Sequence, residues 1–454
     1  MHPKIHLPKL YDVIIIGAGI AGLHAAEMLS DRGYQVLILE AGNRVGGRIQ
    51  TVESRDHIPI EAGAAILQNV DTEDSLNPLV PLLKELQLSL LPIDYRAATF
   101  FDPKGNKESL TKNLITLKDH YQNVLSTIKA AKSTAKISRK DDITLAEILH
   151  YESNHIPKVG TKAFLTRQTI SAMITQHTGL PANHLALAYL LLPSRATENE
   201  VMVSGGLQRL PEAIRQKLTA NKMITLQLNT PVTEIRHGSP KKMVQIITHQ
   251  QQAYSAAQVL CTVPIGVLKQ KKIQFFPALS KEKQTLINTT EIGQRNKIIL
   301  EFDEIFWDKE SQFIYPSSEN IDEWPEYINM AYFLKKSAPI LIYNVAGDAA
   351  KFANQTDAAL IQSALFPLSR MFGKKMPSLK ASHITRWDSD PFFLGSTSSY
   401  NNISDLKLLH QFTIPEHNHL FFAGAHTIAT AERETVEGAY RSGLRGALDI
   451  ITAG

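Results

Sequence analysis

One stretch limits what this chain can fold into more than any other. It runs from Tyr11 to Arg48 and reads YDVIIIGAGIAGLHAAEMLSDRGYQVLILEAGNRVGGR. The β-branched run Val13–Ile16 predicts a strand that breaks into Gly17-Ala18-Gly19-Ile20-Ala21-Gly22. A helical pattern follows from Ile20 to about Arg32 and stops at Gly33, the residue type found just past a helix end. A second apolar run, Val36–Leu39, ends on Glu40. Strand, glycine turn, helix, strand and acid make one βαβ nucleotide-binding unit.

Each residue type has a mechanical reason. Gly17 permits the tight turn, Gly19 lets the backbone approach a pyrophosphate, and Gly22 lets helix and sheet pack closely. The helix start at Ile20 and Ala21 offers unpaired N–H groups and partial positive charge to phosphates. Glu40 falls where a ribose-binding acid belongs, about 20 residues on. Glycines alone are a weak signal; the whole unit in register is a strong one. Ala41-Gly42-Asn43-Arg44-Val45-Gly46-Gly47-Arg48 then places a second glycine loop by the same phosphates. Spacing does not separate FAD from NAD.

With 454 residues the chain exceeds one compact core, so two or three domains are expected. A net charge of +4 with no basic block argues against nucleic acid. Cys261 is the only cysteine, which leaves no disulfide framework and no cysteine metal site. Lys4 and Lys9 precede an apolar run that superficially resembles a signal peptide. Asp12 interrupts it, and the run carries the glycine turn, so it reads as the first strand. No stretch approaches the roughly 20 apolar residues of a membrane span, and a cytoplasmic location is expected.

Further on, Ile60-Glu61-Ala62-Gly63-Ala64-Ala65 is a strand entering a small-residue turn, suited to close approach of a flat ligand. Asn77-Pro78 marks a turn before a helix from Leu79 to about Leu86. Residues 108–190 look helical, with a basic segment over Lys129–Lys140 and a helix near Thr144–Tyr151. Gly205 to Pro211 opens another helix. Short strands are predicted at Ile224–Leu228, Val232–Ile235, Val244–Thr248, Val259–Val263 and Ile298–Phe302. More strands are predicted in Phe313–Ala346, then a helix at Thr356–Met371 and a strand reaching Arg386-Trp387. The last segment is a strand ending at Gly424, then a helix from Thr435 whose N-terminus offers positive potential.

These pieces resemble the flavin-containing amine oxidase family, the monoamine and polyamine oxidase superfamily. The resemblance rests on GAGIAGL at 17–23, NRVGGR at 43–48, EAGA at 61–64, GGLQRLP at 205–211 and VLCTVPIGVLK at 259–269. It continues through NKIILEF at 296–302, Trp387, FFAGAHT at 421–427 and TVEGAYRSGLRGA at 435–447. Residues 95–200 contribute almost nothing to it.

The resemblance implies FAD. Gly17, Gly19 and Gly22 with Ile20 and Ala21 would meet the pyrophosphate, Glu40 and Ala41 the adenosine ribose side, and Gly47 and Arg48 the phosphates. Val232 would hold the adenine through its backbone. Gly63, Ala64 and Trp387 would approach the isoalloxazine, and Gly424, Ala425, Thr435 and Val436 the ribityl chain and pyrimidine edge. Lys297 matches the family's lysine that holds a water near flavin N5, and is the candidate catalytic residue.

Departures from the family pattern are equally specific. Ala425 stands where the family usually has Glu, and Glu434 where it usually has Gly before TVEGA. Glu434 is expected either to line the substrate cavity or to sit as a carboxylate near a helix N-terminus. Thr397 and Thr435 take the places of two cage tyrosines, so Thr397 is a candidate substrate contact. Ser396 lies where a flavin-linking cysteine would be, so FAD is expected to bind non-covalently.

The expected fold class is α/β: a Rossmann-like FAD-binding domain over 1–95, 200–270 and 396–454, a helical insertion over 96–199, and an α+β substrate-binding domain over 271–395. The expected activity is hydride transfer from the carbon next to an amine to flavin, with dioxygen as acceptor and hydrogen peroxide as product. An amino acid oxidase, a desaturase of a non-amine, or a binding module without catalysis stays open. No long coiled-coil insertion is seen, so histone-type substrates are not expected. Oligomeric state is not legible.

Overall fold

A computed structural model describes residues 10–70, 77–95, 97–108, 175, 178–180, 199–238, 243–318, 326–334, 338–347, 354–399, 408–430 and 432–454. β1 (Leu10–Ile16), α1 (Ile20–Ser30) and β2 (Val36–Leu39) form the βαβ unit. β1 and β2 pair in parallel, from Val13 beside Val36 to Ile16 beside Leu39. All of β2 is buried, as a strand covered on both faces must be. Val13 and Ile15 pack into the core on the α1 side, and Ile14 and Ile16 into the core on the other.

Among the described residues this sheet has eight strands, ordered Gln274–Phe276, Val232–Arg236, Val244–Thr248, Ala253–Cys261, β1, β2 and Ile224–Gln227, with Leu420–Phe422 as a side branch. The long strand Ala253–Cys261 is shared. Its first half takes Val244–Thr248 antiparallel, and its second takes Leu420–Phe422 in parallel. The C-terminal helix, Val436–Ala453, then lies on α1. Contact is close enough that a β-carbon at Gly443 would stand 2.2 Å from the Ala21 carbonyl oxygen. The rings of His24 and Tyr440 stack at 3.5 Å across the same seam.

A second sheet has seven strands among the described residues, in the order Leu379–Ile384, Arg295–Phe302, Ile340–Ala346, Glu326–Asn329, Phe313–Pro316, Ala98–Phe101 and Lys107–Glu108. One face, with Ile298, Leu300 and Tyr327, is covered by the helix Asp357–Phe372. The other, with Ile299, Ile328 and Ile342, packs against Ile60 and Met202. That second face carries the odd positions of strand Arg295–Phe302, and so carries Lys297.

Five boundaries differ from expectation. The strand expected at Val259–Val263 runs from Ala253 to Cys261, and Gln274–Phe276, expected in the substrate-binding domain, is an edge strand of the first sheet through its pairing with Val232–Arg236. The sequence pattern puts a helical insertion from residue 96, but Ala98–Phe101 and Lys107–Glu108 are strands of the second sheet. The β-prone Thr99-Phe100-Phe101 finds a parallel partner in Phe313–Pro316, a long-range pairing that local pattern does not reveal. The strand expected from Ile298 begins at Arg295, because the polar residues Arg295, Asn296 and Lys297 continue the pairing with Asn344–Ala346. The strand expected to reach Trp387 ends at Ile384. Most of residues 96–199, including Lys129–Lys140 and Thr144–Tyr151, lie outside the described residues. Among the described residues no helix is long and apolar enough to cross a membrane.

Candidate active site

The chain leaves β1 at Gly17 with φ 103°, and a β-carbon there would stand 2.6 Å from Thr262 Oγ1. At Gly22 it would stand 2.0 Å from the Gly17 carbonyl oxygen, so the helix start fits against the turn only as glycine. Gly19 is different. Nothing lies within 4 Å of its β position. It heads α1, which has no side-chain cap and no acid in its first turn. No side chain caps the N–H groups of this first turn, the arrangement that receives an anion.

Glu40 ties the two glycine loops together. Its carboxylate accepts from Ala18 N at 2.6 Å and Gly42 N at 2.8 Å. Burial holds its pKa above the usual carboxylate value in spite of these bonds. Ala41 lies between, and Asn229 N and Thr230 N donate to the Gly42 and Glu40 carbonyls, each at 2.8 Å, which brings Val232 to this end of the sheet. Sequence reasoning missed Arg44. Its guanidinium donates to the Val45, Gly47 and Ile49 carbonyls at 3.3, 2.7 and 2.9 Å and so shapes the second loop from within.

The small-residue turn meets Lys297. The lysine Nζ donates to the carbonyls of Glu61 at 2.7 Å and Gly63 at 2.6 Å. Burial lowers its pKa, with the Glu61 carboxylate opposing that shift. Glu61 is itself buried and its carboxyl pKa is raised; it accepts from Leu207 N at 2.5 Å and Thr51 Oγ1 at 3.0 Å. EAGA and GGLQRLP are therefore joined through one carboxylate. A β-carbon at Gly63 would stand 2.0 Å from the Arg48 carbonyl oxygen, to which Ala64 N donates at 3.0 Å.

Trp387 closes this corner, its Nε1 donating to Ala62 O at 3.4 Å and its N–H to Asn296 Oδ1 at 2.9 Å. Asn296 also accepts from Thr385 Oγ1 at 3.3 Å, and Thr385 Oγ1 accepts from Lys297 N at 2.8 Å. Asn296, which sets Trp387 against Lys297, is a residue that sequence reasoning passes over. A buried Asn beside an apolar strand run is the signal for it.

On the face of the second sheet that carries Lys297, cross-strand register puts Lys297 opposite Asn344 and Asn344 opposite Glu326. Asn344 Nδ2 and Tyr315 OH donate to Glu326 at 2.5 and 3.0 Å, and burial raises the Glu326 pKa against those bonds. Glu200 accepts from Tyr95 OH at 2.5 Å and Gln68 Nε2 at 3.4 Å. Two carboxyl groups and two phenols thus cluster beside this face of the second sheet, both phenol rings stacked on Phe313.

The C-terminal elements arrive at Gly424, φ 120°, whose N–H donates to Ser442 Oγ at 2.8 Å. Thr435 caps the C-terminal helix, accepting from Gly438 N at 3.0 Å, and Val436 begins it. Glu437, also missed in the sequence, is buried and accepts from Gln68 N at 2.7 Å and Asn77 Nδ2 at 2.8 Å, anchoring the helix to the chain that follows the EAGA turn.

Two candidate substrate contacts take other roles. The Thr397 hydroxyl donates to Thr178 O at 2.7 Å, in a seam where β-carbons at Gly179 and Gly293 would strike it. The Glu434 carboxylate accepts from Arg48 Nη1 at 2.7 Å and from the Ser398 hydroxyl, so its charge is taken up within the protein. Burial pushes its pKa up, but Arg48, Arg433 and the Ser398 bond outweigh that and hold it below the usual value. Ala425 contributes only its carbonyl, which accepts from Glu434 N at 3.3 Å.

A dinucleotide-binding unit joined to a half-buried lysine, a tryptophan and a carboxyl-bearing sheet face defines a nucleotide-dependent oxidoreductase site. A model of the family described as flavin containing amine oxidoreductase matches residues 20–451, and the chain belongs to that family. It is 28% identical to polyamine oxidase 2 of Arabidopsis thaliana, over 96% of this chain and 87% of that one. It is 30% identical to probable polyamine oxidase 4 of the same plant, over 84% and 76%. It is 27% identical to lysine-specific histone demethylase 1 homolog 3, also of Arabidopsis thaliana, covering 97% of this chain but only 30% of that protein.

The family's cofactor is FAD, and the residues fit it. The open β position at Gly19, at the uncapped head of α1, is a cradle that any side chain would begin to fill. Cys261, the one cysteine, is buried at the end of its strand with its thiol pushed up to about 12, unsuited to a flavin thioether. FAD is expected to leave the polypeptide on acid denaturation, read as flavin absorbance in the filtrate; yellow colour retained by the precipitate would count against this.

Proposed function

We propose that the protein is a FAD-dependent amine oxidase. The observation that carries this reading is the seating of Lys297 on the Glu61 and Gly63 carbonyls next to Trp387. FAD, when bound, takes a hydride from the carbon next to the amine nitrogen and passes the electrons to dioxygen, giving an imine that hydrolyses to a carbonyl compound and hydrogen peroxide. The protein supplies placement. Gly17, Gly19, Gly22, Glu40, Ala41, Gly47, Arg48 and Val232 would hold the nucleotide half, and Gly63, Ala64, Trp387, Gly424, Ala425, Thr435 and Val436 the flavin half. The head of the C-terminal helix would favour negative charge on the ring.

Lys297 would hold a water or a proton beside the reacting ring. Its two carbonyl acceptors restrict where the third N–H points. Glu326 and Glu200 support an amine over a carboxylate-bearing substrate. The test is anaerobic mixing of the yellow protein with a panel of amines. Polyamines lead the panel because two of the relatives are named for them, and methylated lysine peptides join it because of the third. Bleaching of flavin absorbance by at least one amine is expected. Bound flavin that no amine bleaches would overturn the reading.

A further inference from the structure

The ion pair between Glu434 and Arg48 takes no part in amine oxidation itself, and its role rests on the proposed function only in taking FAD as the ligand of this groove. Glu434 has φ 56°, in the left-handed region that disfavours any residue with a β-carbon. Glycine would meet that backbone demand without strain. The side chain is therefore what position 434 supplies. It is 7% exposed, and each carboxylate oxygen has a partner: Arg48 Nη1 at 2.7 Å on one and the Ser398 hydroxyl on the other. Ser398 Oγ also accepts from Arg433 Nη2 at 2.9 Å, which fixes the acid from behind.

The arginine is held differently. Only Nη1 is used, shared between Glu434 and the Ser396 carbonyl at 2.6 Å. Nε and Nη2 donate to no described residue, and 25% of the side chain stays accessible. Arg48 follows Gly47, whose β position stands 3.3 Å from Gly19 Cα at the head of α1. A guanidinium gripped at one nitrogen keeps the rest of its fork for an anion.

We propose that Glu434 is a positioning residue for the cofactor: with the Ser396 carbonyl it fixes Arg48 so that Nε and Nη2 serve the anionic diphosphate of FAD. Charge alone argues the other way, since a carboxylate near an anion weakens binding. The two effects have opposite signs, so affinity decides between them.

FAD is stripped from the full-length protein and titrated back, following flavin fluorescence, for wild type, Glu434→Gln and Glu434→Gly. Positioning predicts a Kd raised about tenfold or more in both variants. The apoprotein melting temperature serves as a control that a merely structural role would move: Glu434→Gly is expected at or above wild type, because its backbone strain is relieved. Arg48→Lys, which keeps the charge and loses the fork, is expected to resemble Glu434→Gln. A Kd unchanged or lowered in the Glu434 variants, or a loss of affinity matched by an equally large loss of apoprotein stability, overturns the proposal. Wild-type apoprotein that takes up no FAD overturns it together with the cofactor assignment, whereas failure of the amine panel alone leaves it standing.

Discussion

Lys297→Met is expected to retain FAD while slowing reoxidation of the reduced protein by dioxygen about a hundredfold. Reduction of dioxygen builds negative charge, which the Lys297 ammonium beside the flavin would stabilise. The direction of the pH dependence comes from the same group. Burial lowers the lysine pKa to about 8, so the ammonium is present below that pH and lost above it. Wild-type reoxidation should therefore fall as pH rises through this region, and the methionine variant should show no such step. Stopped-flow mixing of the reduced protein with dioxygen measures both. The substitution also leaves the Glu61 and Gly63 carbonyls without their donor, which costs about 1–3 kcal/mol of stability. Equal rates in the two proteins would remove Lys297 from the chemistry.

Gly22→Ala is expected to destabilise the fold by about 3 kcal/mol and to abolish FAD uptake. The added methyl would stand 2.0 Å from the Gly17 carbonyl oxygen and 3.2 Å from Ile15 Cγ2. The first obstacle is backbone in a tight turn and cannot swing aside, so α1 must move and carry the cofactor cradle with it. Gly19→Ala isolates the second effect. Its β position is open and its φ of −67° suits any residue. This variant should melt like wild type and yet bind FAD weakly, because the methyl takes the space left for the ligand. Thermal melts of both apoproteins, paired with FAD titration, separate the cases. A Gly19→Ala protein that binds FAD normally would place the diphosphate elsewhere.

How much of the molecule is legible in its sequence depends on how local each signal is. β1, α1 and β2 read clearly because the turn demands glycine and β2 is covered on both faces. Lys297, Trp387, Glu61 and Gly63 are visible one at a time, but the hydrogen bonds that join them cross 234 residues or more and have no local pattern. Arg44 escapes notice because its role is to bond its own loop, and nothing in spacing separates that from Arg48. Glu437 reads as an ordinary first-turn acid, while its carboxylate in fact reaches Gln68 and Asn77. Residues 98–108 read as part of a helical insertion because their partner strand lies more than 200 positions away. Glu434 stands out as a departure from the family pattern, but its partner does not, since 386 residues separate it from Arg48.

The strand Leu420–Phe422 and the helix Val436–Ala453 have a consequence for how the protein is made. The strand pairs with Ala253–Cys261, the neighbour of β1, and the helix packs on α1, so both are made long after the βαβ unit they complete. A nascent chain therefore holds its phosphate turn ready while the wall beside it is still untranslated. Until that strand and helix emerge, the edge of Ala253–Cys261 and the Ala21 side of α1 stay uncovered, and chaperones have that interval in which to shield them. Cofactor capture in the cell then waits for the arrival of Leu420–Phe422 and Val436–Ala453.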